Sequence, residues 1–353
     1  MSHNSHTVRK VHATITVGVN PTGIAITPNG KYAYVANNNN YSIAGQDSVT
    51  VIDLKTNLPI KTIIDSSFNG PYTITIDKLG IKAYVTNSGG STITIINIHK
   101  NEVSGIIEGF DGPSGMVIKG DIGYVNNYGA TPGVGSGNGK TVNIVDLRTN
   151  KIIGNPITVG LAPSSLALTS KGDYVYTTNY MDGNPNTATL TKIETRTNNV
   201  VETIGPFSEN GFSGPFAIVL SSNGRKAYVT NFGSNNFEPF GTTVSVVDLC
   251  KNVIIKTINL GIQPSGIAIS PDDKYAYVSN YNTLYAYVQL TPPPIQYLNL
   301  TAGAGTVNVV NLEDYSVIST ILVGQSPDYV TVSPDGKHVY VTNYTSNTVT
   351  VLK

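Results

Sequence analysis

The sequence predicts an all-β fold, a seven-bladed β-propeller of four-stranded blades whose last blade is closed by the N-terminal strand. Three observations carry this: a short motif that recurs seven times, strand-and-turn chemistry between its copies, and chain ends that complement one another. The motif is Tyr-x-x-Asn, at Tyr34–Asn37, Tyr84–Asn87, Tyr124–Asn127, Tyr176–Asn179, Tyr228–Asn231, Tyr277–Asn280 and Tyr340–Asn343. Successive motif asparagines differ in position by 50, 40, 52, 52, 49 and 63 residues. A marker proline precedes each copy: Pro21, Pro71, Pro113, Pro163, Pro215, Pro264 and Pro327. Periods of this size belong to repeat architectures in which each unit buries its faces against its neighbours.

The first unit shows how each is built. Gly23–Thr27 and Tyr32–Ala36 flank the turn Pro28-Asn-Gly30; Ser48–Leu54 and a last strand near Ile60–Ile64 flank Lys55-Thr-Asn57. β-Branched and aromatic residues fill the strands, while Gly, Asn, Asp and Pro fill the turns. No stretch sustains a helical period. Apolar residues on both faces of strands such as Thr141–Leu147 fit blades packed face to face around a channel. The chain finishes on a third strand, Asn347–Lys353, and begins with Lys10–Val17, which matches the fourth strand of the other units. The first strand therefore completes the last blade, leaving no free seam. The expectation is one domain over residues 1–353, with 1–7 disordered and 281–303 forming a hairpin-like insertion in the sixth blade.

Composition narrows the function classes. Lys+Arg and Asp+Glu number 22 each in 353 residues, so the basic surplus expected of nucleic-acid binding is missing. No apolar run approaches the ~18 residues of a membrane span. Charged residues are only 12%, with Thr, Asn, Ser, Gly and Tyr in their place, a polar neutral surface that suits contact with carbohydrate and an extracellular or particle-surface location. Cys250, the single cysteine, excludes an internal disulfide and sits at a turn. Residues 1–6 carry no apolar signal segment.

The repeated motif and its marker proline resemble the YVTN β-propeller repeat family, known from archaeal and bacterial surface-layer-like proteins, over nearly the whole chain. The resemblance implies the propeller fold and a surface role; that family is defined by structural residues and hosts varied roles.

Loop lengths point to one end of the propeller. First-to-second and third-to-fourth turns are short, whereas second-to-third loops are long at 37–47, 127–139, 179–187, 231–242 and 280–303. Antiparallel order puts these on the same end as two enlarged fourth-to-first connections, 65–70 and 205–213. Long loops on a rigid scaffold are where binding resides. They carry Tyr41, Phe68, Tyr128, Tyr180, Met181, Phe207, Phe212, Phe232, Phe237, Phe240 and Tyr281 among Asn, Gly and Ser, the mixture that recognition surfaces use. Each ring has a second reading, that it pins down its own loop. Residues following the marker prolines are expected to ring the channel mouth: Thr22, Tyr72, Ser114, Ser164, Phe216, Ser265 and Asp328. The candidate ligand contacts are Tyr72, Tyr128, Tyr180, Phe216, Phe237, Tyr281 and Asp328. Asp328, the one carboxylate of that ring, is expected to bond backbone N–H groups at its strand start, or to face a divalent cation or a ligand hydroxyl. In the sixth-unit insertion, two strand-like segments flank Pro292-Pro-Pro294, and Tyr285, Tyr287 and Tyr297 would give an assembly arm, 283–300, for an oligomer.

Catalysis finds little support. His3 and His6 lie in the terminal segment, His12 in the closing strand, and His99 and His338 toward the short-turn end, so no histidine base belongs to the loop-rich end. Lactonase-type propellers resemble this architecture but gather several carboxylates and asparagines around a metal; here Asp47, Asp182, Glu209, Glu238 and Asp328 are spread over different blades. Val134–Thr141 mimics a phosphate-binding loop, yet Val134 replaces its first glycine and a strand follows instead of a helix. Sequons at Asn40, Asn299 and Asn343 matter only on a glycosylating secretory route. The motif asparagines are read as structural. The expectation is a non-catalytic propeller without a cofactor that recognises a protein or glycan through its loop-rich face. The alternatives are a metal-dependent lactonase-like hydrolase and a coat or lattice component.

Overall fold

The computed structural model describes residues 9–39, 47–129, 137–180, 188–205, 211–233, 240–281 and 305–353, together with the backbones of 285–288 and 296–299. Seven four-stranded antiparallel sheets follow one another in the chain, and their innermost strands close a ring. These innermost strands are Pro21–Ile26, Pro71–Ile76, Pro113–Lys119, Pro163–Leu168, Pro215–Leu220, Pro264–Ile269 and Pro327–Val332, which define blades 1 to 7. In blade 1 they are followed by Tyr32–Asn37, Ser48–Asp53 and Leu58–Ile64. Blade 7 takes its outermost strand from the chain's beginning: Val11–Thr16 pairs with Thr348–Leu352, Ile15 opposite Val349. The predicted closure is thus present, trimmed by a residue or two at each side.

Every marker proline pairs with the motif asparagine of its own blade, and the register slips immediately afterwards. Proline suits this place because a strand's first residue, at a bulge, has no ladder bond to donate. The motif tyrosines are core, with Tyr34, Tyr124, Tyr176, Tyr277 and Tyr340 almost wholly enclosed. Their hydroxyls reach the next blade where a partner exists. Tyr34 donates to Asn101 and Tyr124 donates to Asn198 (2.7 Å), both asparagines holding third-to-fourth turns in the left-handed region. Blade 7 has no such turn, because the chain's two ends meet there. Arg9 takes over: its Nε donates to the Tyr277 hydroxyl (3.1 Å), and its other nitrogens donate to the carbonyls of Lys337 and Gly336 (2.6 Å for the latter). Lys10 and Lys353 exchange backbone hydrogen bonds of 3.0 Å alongside.

The motif asparagines are structural, and they act as clamps between side chains. Each Nδ2 donates to two side chains on the adjacent third strand, for example Asn179 to Thr189 (2.8 Å) and Thr191 (2.9 Å). The same fork recurs at Asn37, Asn87, Asn127, Asn231, Asn280 and Asn343. In four blades a glycine of the incoming connection lies flat on that amide: a Cβ on Gly18 or Gly160 would come within 2.5 Å of the Asn37 or Asn179 Cγ. Between the blades, apolar faces form successive buried clusters, such as Val49, Val51 and Ile63 of blade 1 against Val85 and Ile96 of blade 2. In the sixth unit, Tyr285–Val288 and Gln296–Asn299 pair as a two-stranded antiparallel hairpin, Tyr287 opposite Tyr297.

Candidate functional site

One end of the ring, here called the mouth, receives the ends of the second strands, the starts of the innermost strands and the fourth-to-first connections. The opposite end, the base, carries the short turns. At the mouth the residue following each motif asparagine stands at the end of the second strand of its blade: Asn38, Ser88, Tyr128, Tyr180, Phe232, Tyr281 and Tyr344 in blade order. Five of these are aromatic. With Phe216, they form a continuous crescent over blades 3 to 7, ring to ring: Tyr128–Tyr180 6.5 Å, Tyr180–Phe216 6.2 Å, Phe216–Phe232 5.3 Å, Phe232–Tyr281 6.1 Å and Tyr281–Tyr344 6.3 Å. These separations lie in the range of favourable aromatic pairs.

The crescent has a foundation and a face. From sequence, Tyr180 belongs with the ligand contacts; the structure corrects this. Its ring is 1% exposed and its hydroxyl donates to the Gly233 carbonyl at 2.7 Å, so it braces blade 4 against blade 5. Phe232 is buried beside it. Tyr128, Phe216, Tyr281 and Tyr344 are half-buried and present part of each ring. Phe68 and Phe212, in the enlarged connections, are buried and serve as loop pins. Tyr41, Met181, Phe207 and Phe237 lie outside the described residues, as do Asp182, Glu209 and Glu238 and the side chains of Tyr285, Tyr287 and Tyr297.

The ring of residues after the marker prolines divides into two kinds. Thr22, Ser114, Ser164 and Ser265 are buried, and their hydroxyls donate to the first carbonyls of the next innermost strand, as Ser164 does to Phe216 (2.8 Å) and Ser265 to Asp328 (2.9 Å). They knit blade to blade. Tyr72, Phe216 and Asp328 depart from that pattern. Tyr72 meets Tyr329 of blade 7 edge to face with ring centres 5.9 Å apart. The contact bridges blade 1, whose Gly23 offers no side chain: a Cβ there would lie 2.5 Å from the Tyr72 carbonyl.

Asp328 is 7% exposed. The expected bonds from backbone N–H groups are missing, and among the described residues nothing donates to its carboxyl group. Burial without a partner disfavours the charged form and pushes its pKa up to about 7. The same burial, together with the Asp328 charge, raises both Tyr72 and Tyr329, so their hydroxyls stay protonated. Asp47 is structural: it accepts from Asn39 N–H (2.9 Å) and Gly70 N–H (2.7 Å), tying a long loop to the neighbouring connection. Among the described residues no group of three or more His, Cys, Asp or Glu side chains could hold a metal ion. His338 lines a groove of about 420 Å³ at the base, between blades 7 and 1, with Tyr32, Asp53, Asp335 and Tyr340. Burial lowers its pKa, and it is remote from the mouth.

The likenesses to known proteins agree with this architecture. The model of the family described as "Lactonase, 7-bladed beta-propeller" matches residues 192–353. A seven-bladed beta-propeller protein of Mycobacterium tuberculosis, Rv1057, is 31% identical over 130 residues, 36% of this chain and 28% of the relative. Antigen Lp49 of Leptospira interrogans is 24% identical over 214 residues, 60% of this chain and 42% of that protein. The aligned regions thus span less than half the length of these relatives. Among solved structures, a chain of Kuenenia stuttgartiensis hydrazine synthase superposes with a TM-score of 0.75 at 18% identity, covering 99% of this chain and 98% of that one. The fold is a seven-bladed propeller. At such identity a structural likeness speaks for the fold alone.

Two features of the mouth escape the sequence analysis. Tyr344 completes the crescent and Tyr329 completes the channel pair. The signal for the first was in the chain all along: the position after the motif asparagine is aromatic in five consecutive units.

Proposed function

We propose that this chain is a binding propeller that recognises a protein or glycan at its mouth, without catalysing a reaction. The observation that carries the reading is the aromatic crescent: partly buried rings, packed with the buried Tyr180 and Phe232, run unbroken over blades 3 to 7 at the mouth. Rigid aromatic faces among neutral polar residues give large contact area at small entropic cost. A sugar ring or a protein loop can lie on such faces. The low charge content fits a neutral ligand, and an extracellular or particle-surface setting is proposed with it. The antigen designation of the Leptospira relative accords with surface exposure.

The test is a panel of neutral oligosaccharides and proteins screened for binding, followed by Phe216→Ala and Tyr281→Ala in the ligand found. Loss of a central aromatic contact costs about 2 kcal/mol or more, which is roughly a thirtyfold weaker Kd. Unchanged affinity in the double variant, with an unchanged melting curve, would remove the crescent from the binding face.

The match to the lactonase model over residues 192–353 favours one second reading, a metal-dependent hydrolase with Asp328 over the channel. It requires a divalent ion in active protein, and elemental analysis of purified protein decides it. A third role, lattice assembly through the sixth-blade hairpin, predicts that deleting residues 283–300 lowers the oligomer size measured by light scattering.

A further inference from the structure

We propose that the channel mouth holds a small organic ammonium cation, seated against the Tyr72 and Tyr329 rings with the Asp328 carboxylate as its counter-charge. Its two rings are not rings of the crescent.

The first ground is an uncompensated acid. Asp328 is more than nine-tenths buried, no described group donates a hydrogen bond to its carboxyl, and no Lys, Arg or His acts on it electrostatically. Its oxygens keep a little contact with the channel, and so little solvent leaves the charged form poorly compensated. The groups that act on this cluster are Asp328, Tyr72, Tyr329 and Tyr128, and all of them are acids. The second ground is the wall around it. Two tyrosines from blades 7 and 2 cross above a blade that contributes only Gly23 and Thr22, whose hydroxyl is committed to the carbonyls of Pro71 (3.1 Å) and Tyr72 (2.9 Å).

Those two elements select the class of cation. Hard metal ions want about six to eight oxygen ligands, and one carboxylate with two protonated phenols supplies too few. An ammonium group carrying alkyl substituents is weakly hydrated, gains from the negative faces of tyrosine rings, and gains most when desolvated. A neighbouring carboxylate adds the net charge that a purely aromatic cage lacks.

Ionised Asp328 is the binding form. Affinity should be flat above about pH 7 and fall roughly tenfold for each pH unit below it, because a proton and the cation compete for one carboxylate. Tyr72 and Tyr329 stay protonated over the whole range and contribute no step.

Titration calorimetry of the whole chain with tetramethylammonium chloride tests this, with tert-butanol as the neutral probe of similar shape and calcium chloride as the metal arm. Expected is saturable binding of tetramethylammonium with the stated pH profile, no binding of tert-butanol, and at least a tenfold loss in Asp328→Asn. Should that variant fail to fold, Tyr329→Leu serves, with the same expected loss. Tyr281→Ala, a crescent variant that removes neither ring nor acid of the cage, keeps full cation affinity, so failure of the crescent and failure of the cage are told apart. The proposal is overturned by an absence of saturation at roughly 100 mM tetramethylammonium, by binding that Asp328→Asn and Tyr329→Leu leave intact, by equal binding of tert-butanol, or by calcium taking the site in preference.

Discussion

Replacing Asp328 by asparagine should stabilise the protein, and only on the alkaline side. The side chain keeps its shape and loses its charge, so the variant imitates the protonated acid. In the folded chain burial raises this carboxyl from an ordinary value near 3.8 to about 7. Because the folded pKa is raised, the native state favours the proton. The group costs nothing below about pH 4, costs progressively more as pH rises toward 7, and reaches a constant penalty above that. A gap of about three units corresponds to about 4 kcal/mol, the upper bound for the gain at pH 8. With unfolding entropy scaling at roughly 2 cal/mol/K per residue, a chain of this size converts that into a rise in melting temperature of about 5 °C. The assay is thermal or urea unfolding followed by circular dichroism, wild type against variant, at pH 4.5, 6, 7 and 8.5. The two curves should converge in acid and separate above pH 6. A difference that stays constant with pH, or a variant that is less stable at pH 8.5, refutes the idea that the carboxylate is buried without a partner.

Other expectations follow from the same geometry. Tyr180→Phe removes the bond to Gly233 and should lower stability by about 1 kcal/mol in urea unfolding, while ligand affinity is unchanged. Gly18→Ala or Gly160→Ala drives a methyl into the motif asparagine amide and should cost about 1–3 kcal/mol, measured by the shift in unfolding midpoint. Arg9→Ala frees Tyr277 and two carbonyls at the closure, and should raise hydrogen exchange in residues 11–16 before any other strand, with a loss of about 1–3 kcal/mol.

Blade number, strand order and closure were legible in the sequence because they rest on repeated local chemistry. A proline without a donor, an asparagine clamp and a left-handed asparagine turn recur in every or nearly every unit, and each leaves its own mark. The mouth was legible only in outline. The sequence shows that Tyr128, Tyr180 and Tyr281 share one end, but whether a ring faces solvent depends on the neighbour it leans on. Tyr180 finds the Gly233 carbonyl in the next blade, more than fifty positions away, and becomes a brace. Asp328 follows its marker proline at the bulge, and Ser265 and Ser279 donate to its carbonyl and not to its carboxyl, which the sequence does not show. Arg9 was invisible as a functional part of the closure, since it replaces a turn that six other blades build from their own third-to-fourth connection.

The meeting of Lys10 with Lys353, beside the Arg9 bonds to Gly336 and Lys337, has a directional consequence. Both described ends of the chain leave from the base. Anything joined to either of them, whether a tether, a solid support or a fused partner, holds the molecule by that side and turns its aromatic mouth outward. A protein held through Lys10 or Lys353 therefore presents its mouth away from the support, with no chemical coupling at the loops.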